Sequence, residues 1–194
     1  MRTMQRVIGI FVLLAVAQGV LGAPEVDWGT DVDVFLFQWD GLQLIQGGDQ
    51  NTGGFVQLID LGTNAEYDGL SLLSPSGLNP DGDDSVVATA WVGRGLGGDD
   101  GEFFVLNTVY NTTNKHFVIR FFEQPSPNYD AGLIPQFGHY GVSPVFSGTT
   151  DPVRDEFYIE ENLVATSVVP EPGVAAFLLL GAGLALGLRR RRIG

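Results

Sequence analysis

Between residues 24 and 168 the chain never sustains helical apolar spacing over ten or more residues. Its apolar segments are short, rich in β-branched and aromatic side chains, and punctuated by Gly, Asn, Asp and Pro, the pattern of strands joined by turns. Strands are expected at 32–39, 55–61, 85–92, 102–110, 115–123 and 156–159, with another near 140–146. In KHFVIRFFE, Phe117, Ile119 and Phe121 fall on one face and His116, Val118 and Arg120 on the other. That is the period of two of a strand with one buried face, and it makes Arg120→Ala an inexpensive substitution. Four polar residues, 111–114, separate two such patterns, so 102–123 reads as an antiparallel hairpin. Successive strands without helical crossovers or internal repeats give an all-β fold class, a single antiparallel β-sandwich of jelly-roll-like kind.

Composition agrees that this region folds. Eleven of the chain's thirteen phenylalanines lie here, and with abundant Val and Ile they provide enough apolar surface to offset the ordering entropy of about 146 residues, a normal size for one domain. The same region holds four basic and 22 acidic residues, a net charge of −18. Such a surface repels phosphate, so no nucleic-acid partner is expected, whereas divalent cations would be attracted. The chain has no cysteine, which excludes disulfides, thiolate metal sites and a cysteine nucleophile of its own.

The two ends are of another kind. Arg2 and Arg6 precede an apolar stretch at 7–17 and then small residues, the tripartite pattern of a secretory signal peptide over 1–22, with cleavage after Gly22 or Ala23. At the other end, residues 173–188 carry no charge. As a helix they reach about 24 Å, short of a hydrocarbon core of about 30 Å. Arg189, Arg190, Arg191 and Arg192 follow, and their long side chains reach the headgroups from a short span. Both basic clusters lie away from the central region, so the positive-inside rule places 23–168 outside the cytoplasm. The expected organisation is a signal helix at 1–22, an acidic ectodomain at 23–168, and a tail at 169–194 with a transmembrane helix at 173–188.

Val169-Pro170-Glu171-Pro172, the apolar stretch rich in Leu, Gly and Ala, and the terminal arginines together resemble the PEP-CTERM sorting signal of Gram-negative bacteria. The resemblance covers 169–194 alone. It implies export by the Sec machinery, an inner-membrane intermediate, recognition by exosortase, a membrane enzyme, and delivery to the cell surface or an extracellular matrix, in a family associated with exopolysaccharide. The physical order is sensible for a processing substrate: two prolines keep Glu171 extended and out of the helix, the helix fixes its depth, and the arginines fix its direction.

The motifs of the central region are weaker. GRGLGG at 93–98 fits G-x-G-x-x-G, but Asp99, Asp100 and another strand follow it instead of a helix N-terminus, so it reads as a glycine-rich loop. Asn79, Asp81, Asp83 and Asp84 offer alternating oxygen ligands of the kind that wrap calcium, without the EF-hand Gly and Glu; Asp99, Asp100 and Glu102 complete the cage if the loops meet. The same residues are ordinary turn formers. His116 and His139, the only histidines, lack zinc-site spacing, and Ser143 lacks a nucleophile elbow. Trp39 and Trp91 lie within strand patterns and are expected in the core, leaving Trp28 as the candidate for a sugar-stacking platform. The expected function is therefore a non-enzymatic surface or matrix protein, with a surface-delivered carbohydrate-binding module or glycan hydrolase as the alternative. A concave patch combining aromatics and carboxylates on the outside of a sheet would favour a binder.

Overall fold

The computed structural model describes residues 24–70, 82–95, 99–149 and 154–169. The expected signal peptide, Pro170–Pro172, the span at 173–188 and Arg189–Arg192 lie outside them. Among the described residues no helix is long and apolar enough to cross a membrane.

Within the described residues the fold is all-β. In chain order the strands are β1 (Glu25–Thr30), β2 (Leu36–Phe37), β3 (Phe55–Asp60), β4 (Ser85–Trp91), β5 (Phe104–Val109), β6 (His116–Phe122), β7 (His139–Val142), β8 (Phe146–Ser147), β9 (Arg154–Ile159), β10 (Leu163–Val164) and β11 (Ser167–Val168). A large antiparallel sheet runs β11-β7-β6-β3-β4, with β8 also on β6; a smaller sheet runs β5-β1-β9, and β10 pairs with β2. The sheets face each other in a sandwich-like arrangement across one apolar core. The small sheet contributes Val26, Trp28 and Phe157, and the large sheet Leu58, Ile119 and Phe121.

Four expectations are corrected. The hairpin over 102–123 does not form: β5 pairs antiparallel with β1, and β6 with β3, β7 and β8. Residues 111–114 instead carry the chain from one sheet to the other, where buried Thr112 donates its hydroxyl to Asp155 on β9. The strand at 32–39 shrinks to β2, because Asp33 takes a left-handed φ of 62° and Val32 turns outward, 82% exposed. The strand that does the pairing is β1, just upstream, where Val26 and Trp28 alternate with outward-facing residues. The segment 140–146 divides into β7 and β8 at Ser143, whose Oγ accepts from Ile119 N at 2.9 Å and donates to Pro144 O. Finally, not every pairing is antiparallel: β1 and β9 run parallel from Glu25↔Arg154 to Thr30↔Ile159, as do β2 and β10.

The parallel pair is fastened on its outer face. Arg154 donates from Nε (2.8 Å) and Nη2 to the buried carboxylate of Asp27, whose Oδ1 also accepts from Asn107 N at 2.8 Å. Asn107 has φ 56°, near the irregular β1–β5 register, so one side chain satisfies both a bulged backbone and a neighbouring cation.

The central strands of the large sheet, β3 and β6, are buried on both faces. Phe117, Ile119 and Phe121 point into the shared core as expected, but Val118 and Arg120 are buried too. Their face is roofed by the loops after β3 and β6 and by the residue after β11: Tyr67 packs with Ile59 and Val118, while Tyr129, Ile134 and Val169 pack with Phe55 and Phe122. The β4 edge is blocked as well, since Thr89 O accepts from Arg94 Nη1 and Tyr129 Oη, and Trp91 O from Arg94 N. Such capping denies that carbonyl row to another chain's strand.

Candidate functional site

The loop after β3 and the turn before β4 bring Asp68, Asp83 and Asp84 together, with one carboxylate oxygen from each within 4.8 Å of the others. The turn is held by backbone donors. Asp83 Oδ2 accepts from Thr63 N and Oγ1, both at 2.6 Å, and the Thr63 hydroxyl in particular holds the Asp83 carboxyl below its ordinary range. Asp84 Oδ2 accepts from Asp68 N at 2.9 Å. Asp84 is only 6% exposed, and its other oxygen, Oδ1, is sealed from solvent without a hydrogen bond. Burial pushes the Asp84 carboxyl up to about 6; Asp68 N–H opposes the rise, while the charges of Asp68 and Asp83 add to it. Gly82 supplies the left-handed corner, φ 69°, where a Cβ would collide with Asp68 Oδ2.

Of the expected cation ligands, Asp83 and Asp84 therefore meet, and Asn79 and Asp81 lie outside the described residues. Asp99 and Asp100 do not belong to this group; Asp100 Oδ1 instead accepts from Gly47 N at 2.7 Å. Asp68 was missed. It lies 15 residues before Asp83, and only the pairing of β3 with β4 makes the two neighbours.

A second feature lies on the outer face of the small sheet, where Thr30, Asp31, Val32, Glu102, Phe104 and Tyr158 line a pocket of about 280 Å³. Gly29 stands opposite both Phe104 and Tyr158, and a Cβ there would strike the β5 backbone. The two rings stack with centroids 5.7 Å apart. Asp31 and Glu102 add carboxylates to this apolar wall, so the pocket can offer an aromatic surface and oxygen acceptors to the same ligand.

The tryptophans exchange their expected places. Trp28 is fully buried, edge-on to Phe103 at 5.4 Å, with Nε1 donating to Thr108 Oγ1 at 3.0 Å. Trp39 is 62% exposed and stacks on His139 at 5.6 Å. Glu123 sets that pair from beneath, accepting from Trp39 N at 2.6 Å and from His139 N and Nδ1 at 3.0 and 3.2 Å. His116 Nδ1 contacts Ser147 Oγ at 3.1 Å, and Ser143 is engaged in the β6–β7 backbone; neither forms a catalytic constellation with the other. Of GRGLGG, the first three residues follow β4, with Gly93 and Gly95 at left-handed φ, and 96–98 lie outside the described residues.

Val169, the first residue of the expected sorting motif, is buried beside Phe55 and Phe122, and its N–H donates to Gly138 O at 2.9 Å. No family model, no curated protein and no solved structure matches this chain.

Proposed function

We propose that this chain is an exported, non-catalytic surface or extracellular-matrix protein, and that its PEP-CTERM-like tail is a sorting signal read and processed by an exosortase-like membrane enzyme. The observation that carries this reading is the junction: Val169 is fixed in the folded domain, and Pro170-Glu171-Pro172 follows at once. A folded β-sandwich that ends one residue before two rigidifying prolines presents Glu171 close to the membrane face without a floppy linker. The short apolar run and Arg189–Arg192 then hold it at a defined depth. A permanent anchor needs neither proline nor Glu171 and gains from a longer span. In a host with exosortase, Glu171→Ala combined with Pro172→Ala should leave full-length protein in the inner membrane while the parent moves outward. Equal fractionation of the two would overturn the sorting role. Deleting Arg189–Arg192 should weaken membrane retention.

A second reading, the surface-delivered carbohydrate-binding module, is favoured by the pocket at Phe104 and Tyr158. Stacked rings beside Asp31 and Glu102 suit a neutral sugar, whose C–H faces lie on aromatics while its hydroxyls donate to carboxylates. Exopolysaccharide is the partner this reading supplies. A glycan array with the parent, Phe104→Ala and Tyr158→Ala checks it: retained binding by both variants places any sugar site elsewhere, and absence of binding by the parent removes the reading.

A further inference from the structure

Asp68, Asp83 and Asp84 form a cluster of carboxylates at the turn before β4. Three carboxylates converge, yet no lysine or arginine is hydrogen-bonded to any of them among the described contacts. An acidic cluster alone is common on proteins. What distinguishes this one is Asp84 Oδ1: a carboxylate oxygen on a side chain more than nine-tenths buried, sealed from solvent and without a donor. Buried carboxylate oxygens without partners are rare, because each loses its hydration without replacement. Hydrogen-bond donors nearby are already assigned to other oxygens, Asp68 N to Asp84 Oδ2 and Thr63 to Asp83 Oδ2.

We propose that Asp68, Asp83 and Asp84 bind a calcium ion that ties the loop after β3 to the start of β4. The chemistry is all oxygen, which suits a hard cation. Calcium suits such a set better than magnesium, because calcium takes about six to eight oxygens in flexible geometry, whereas magnesium demands a near-ideal octahedron and gives up its waters reluctantly. Oxygens within 4.8 Å of one another accept calcium with little movement. The turn is also preorganised, since Thr63 fixes Asp83, Asp68 N fixes Asp84, and Gly82 leaves the space that Asp68 occupies. The domain's net charge of −18 raises the local concentration of cations around all its surfaces, but among the described residues only this cluster combines convergence with an orphaned buried oxygen. The site is independent of how the tail is processed.

The test uses the full-length chain in detergent, stripped with EDTA and then titrated with calcium chloride. Calorimetry should give about one ion per chain, and the melting midpoint should rise on the order of 4 °C when calcium exceeds its dissociation constant tenfold. Magnesium should bind at least tenfold more weakly, and sodium chloride at matched ionic strength should not reproduce the rise. Asp68→Asn and Asp83→Asn, both at exposed positions, should each lose tenfold or more in affinity, and Asp68→Asn should do so without lowering the midpoint in EDTA, since it relieves like-charge repulsion on Asp84. Asp99→Asn should bind as the parent does. No calcium response, a response matched by sodium chloride or magnesium, or an unchanged response in the Asp68→Asn/Asp83→Asn double variant would overturn the assignment.

Discussion

Arg120 is a fully buried guanidinium whose direct partners are neutral. Its Nε and Nη2 donate to Gln57 Oε1 at 3.0 and 2.6 Å, its Nη1 donates to Tyr67 Oη at 2.8 Å, and it lies 5.4 Å from the Phe122 ring. A guanidinium tolerates such a place better than an ammonium, being weakly hydrated and able to lie over aromatic faces. Burial in turn pushes the Tyr67 hydroxyl up to about 12, so it stays a neutral partner through the physiological range. Removing the side chain strips Gln57 Oε1 and Tyr67 of a donor and opens a cavity under the loop after β3. Arg120→Ala should therefore cost about 3–5 kcal/mol in urea denaturation, and Arg120→Met, which refills the volume, should cost less. Phe117→Ala and Phe121→Ala should cost a similar 3–5 kcal/mol. A negligible effect at Arg120 would mean that the roof over this face is absent in solution. The alternation in KHFVIRFFE does reveal which residues share a face. It is silent on what covers each face, because the roof comes from loops whose own sequences carry no period.

At the scale of elements, strand positions were legible and strand partners were not. β3, β4, β5, β6 and β9 lie where alternation and β-branched or aromatic composition put them. Their partners depend on competition among strands distant in the chain, and a polar connection such as 111–114 serves a hairpin and a crossing between sheets equally well. The missed β1 shows the same limit: EVDWGT is short, contains Gly29 and two carboxylates, and acquires its identity only from Arg154, Asn107 and Thr108 on its neighbours. The acidic cluster shares this history, since Asp83 and Asp84 were visible as a pair and Asp68 needed the β3–β4 pairing. The β1–β5 pairing has a direct test in a chain without native cysteine. Glu25 and Val109 are cross-strand partners, and adjacent antiparallel residues have Cα atoms about 4.5–5.5 Å apart, within disulfide reach. Glu25→Cys with Val109→Cys should form an intramolecular disulfide under mild oxidation, seen as a loss of 2 Da (about two hydrogens by mass balance). Failure to crosslink would overturn the β1–β5 pairing.

For the molecule as a whole, the proposed sorting role turns on Val169, where the described fold meets the tail. β11 pairs antiparallel with β7 through Ser167↔Tyr140 and Val168↔His139, and Val169 continues the attachment by donating its N–H to Gly138 O and burying its side chain beside Phe55, Phe122 and Ile134. Backbone held in a sheet and in a core is a poor protease substrate, because cleavage requires an extended segment free to enter another active site. Pro170, in contrast, has no N–H to contribute to a ladder. If the domain folds before the tail is processed, the cut must fall after Val169, and the mature protein must keep the whole of β11. Intact-mass measurement of the species released in a host with exosortase should therefore place the new C-terminus at Val169 or beyond, with Arg189–Gly194 gone. A terminus upstream of Val169 would mean that processing precedes folding of β11. Persistence of Arg189–Gly194 would mean that the tail is only an anchor. Val169→Asp supplies the complementary arm: a carboxylate forced into the cluster of Phe55 and Phe122 should expel the strand end, lower the melting midpoint, and allow cleavage at bonds upstream that the parent protects.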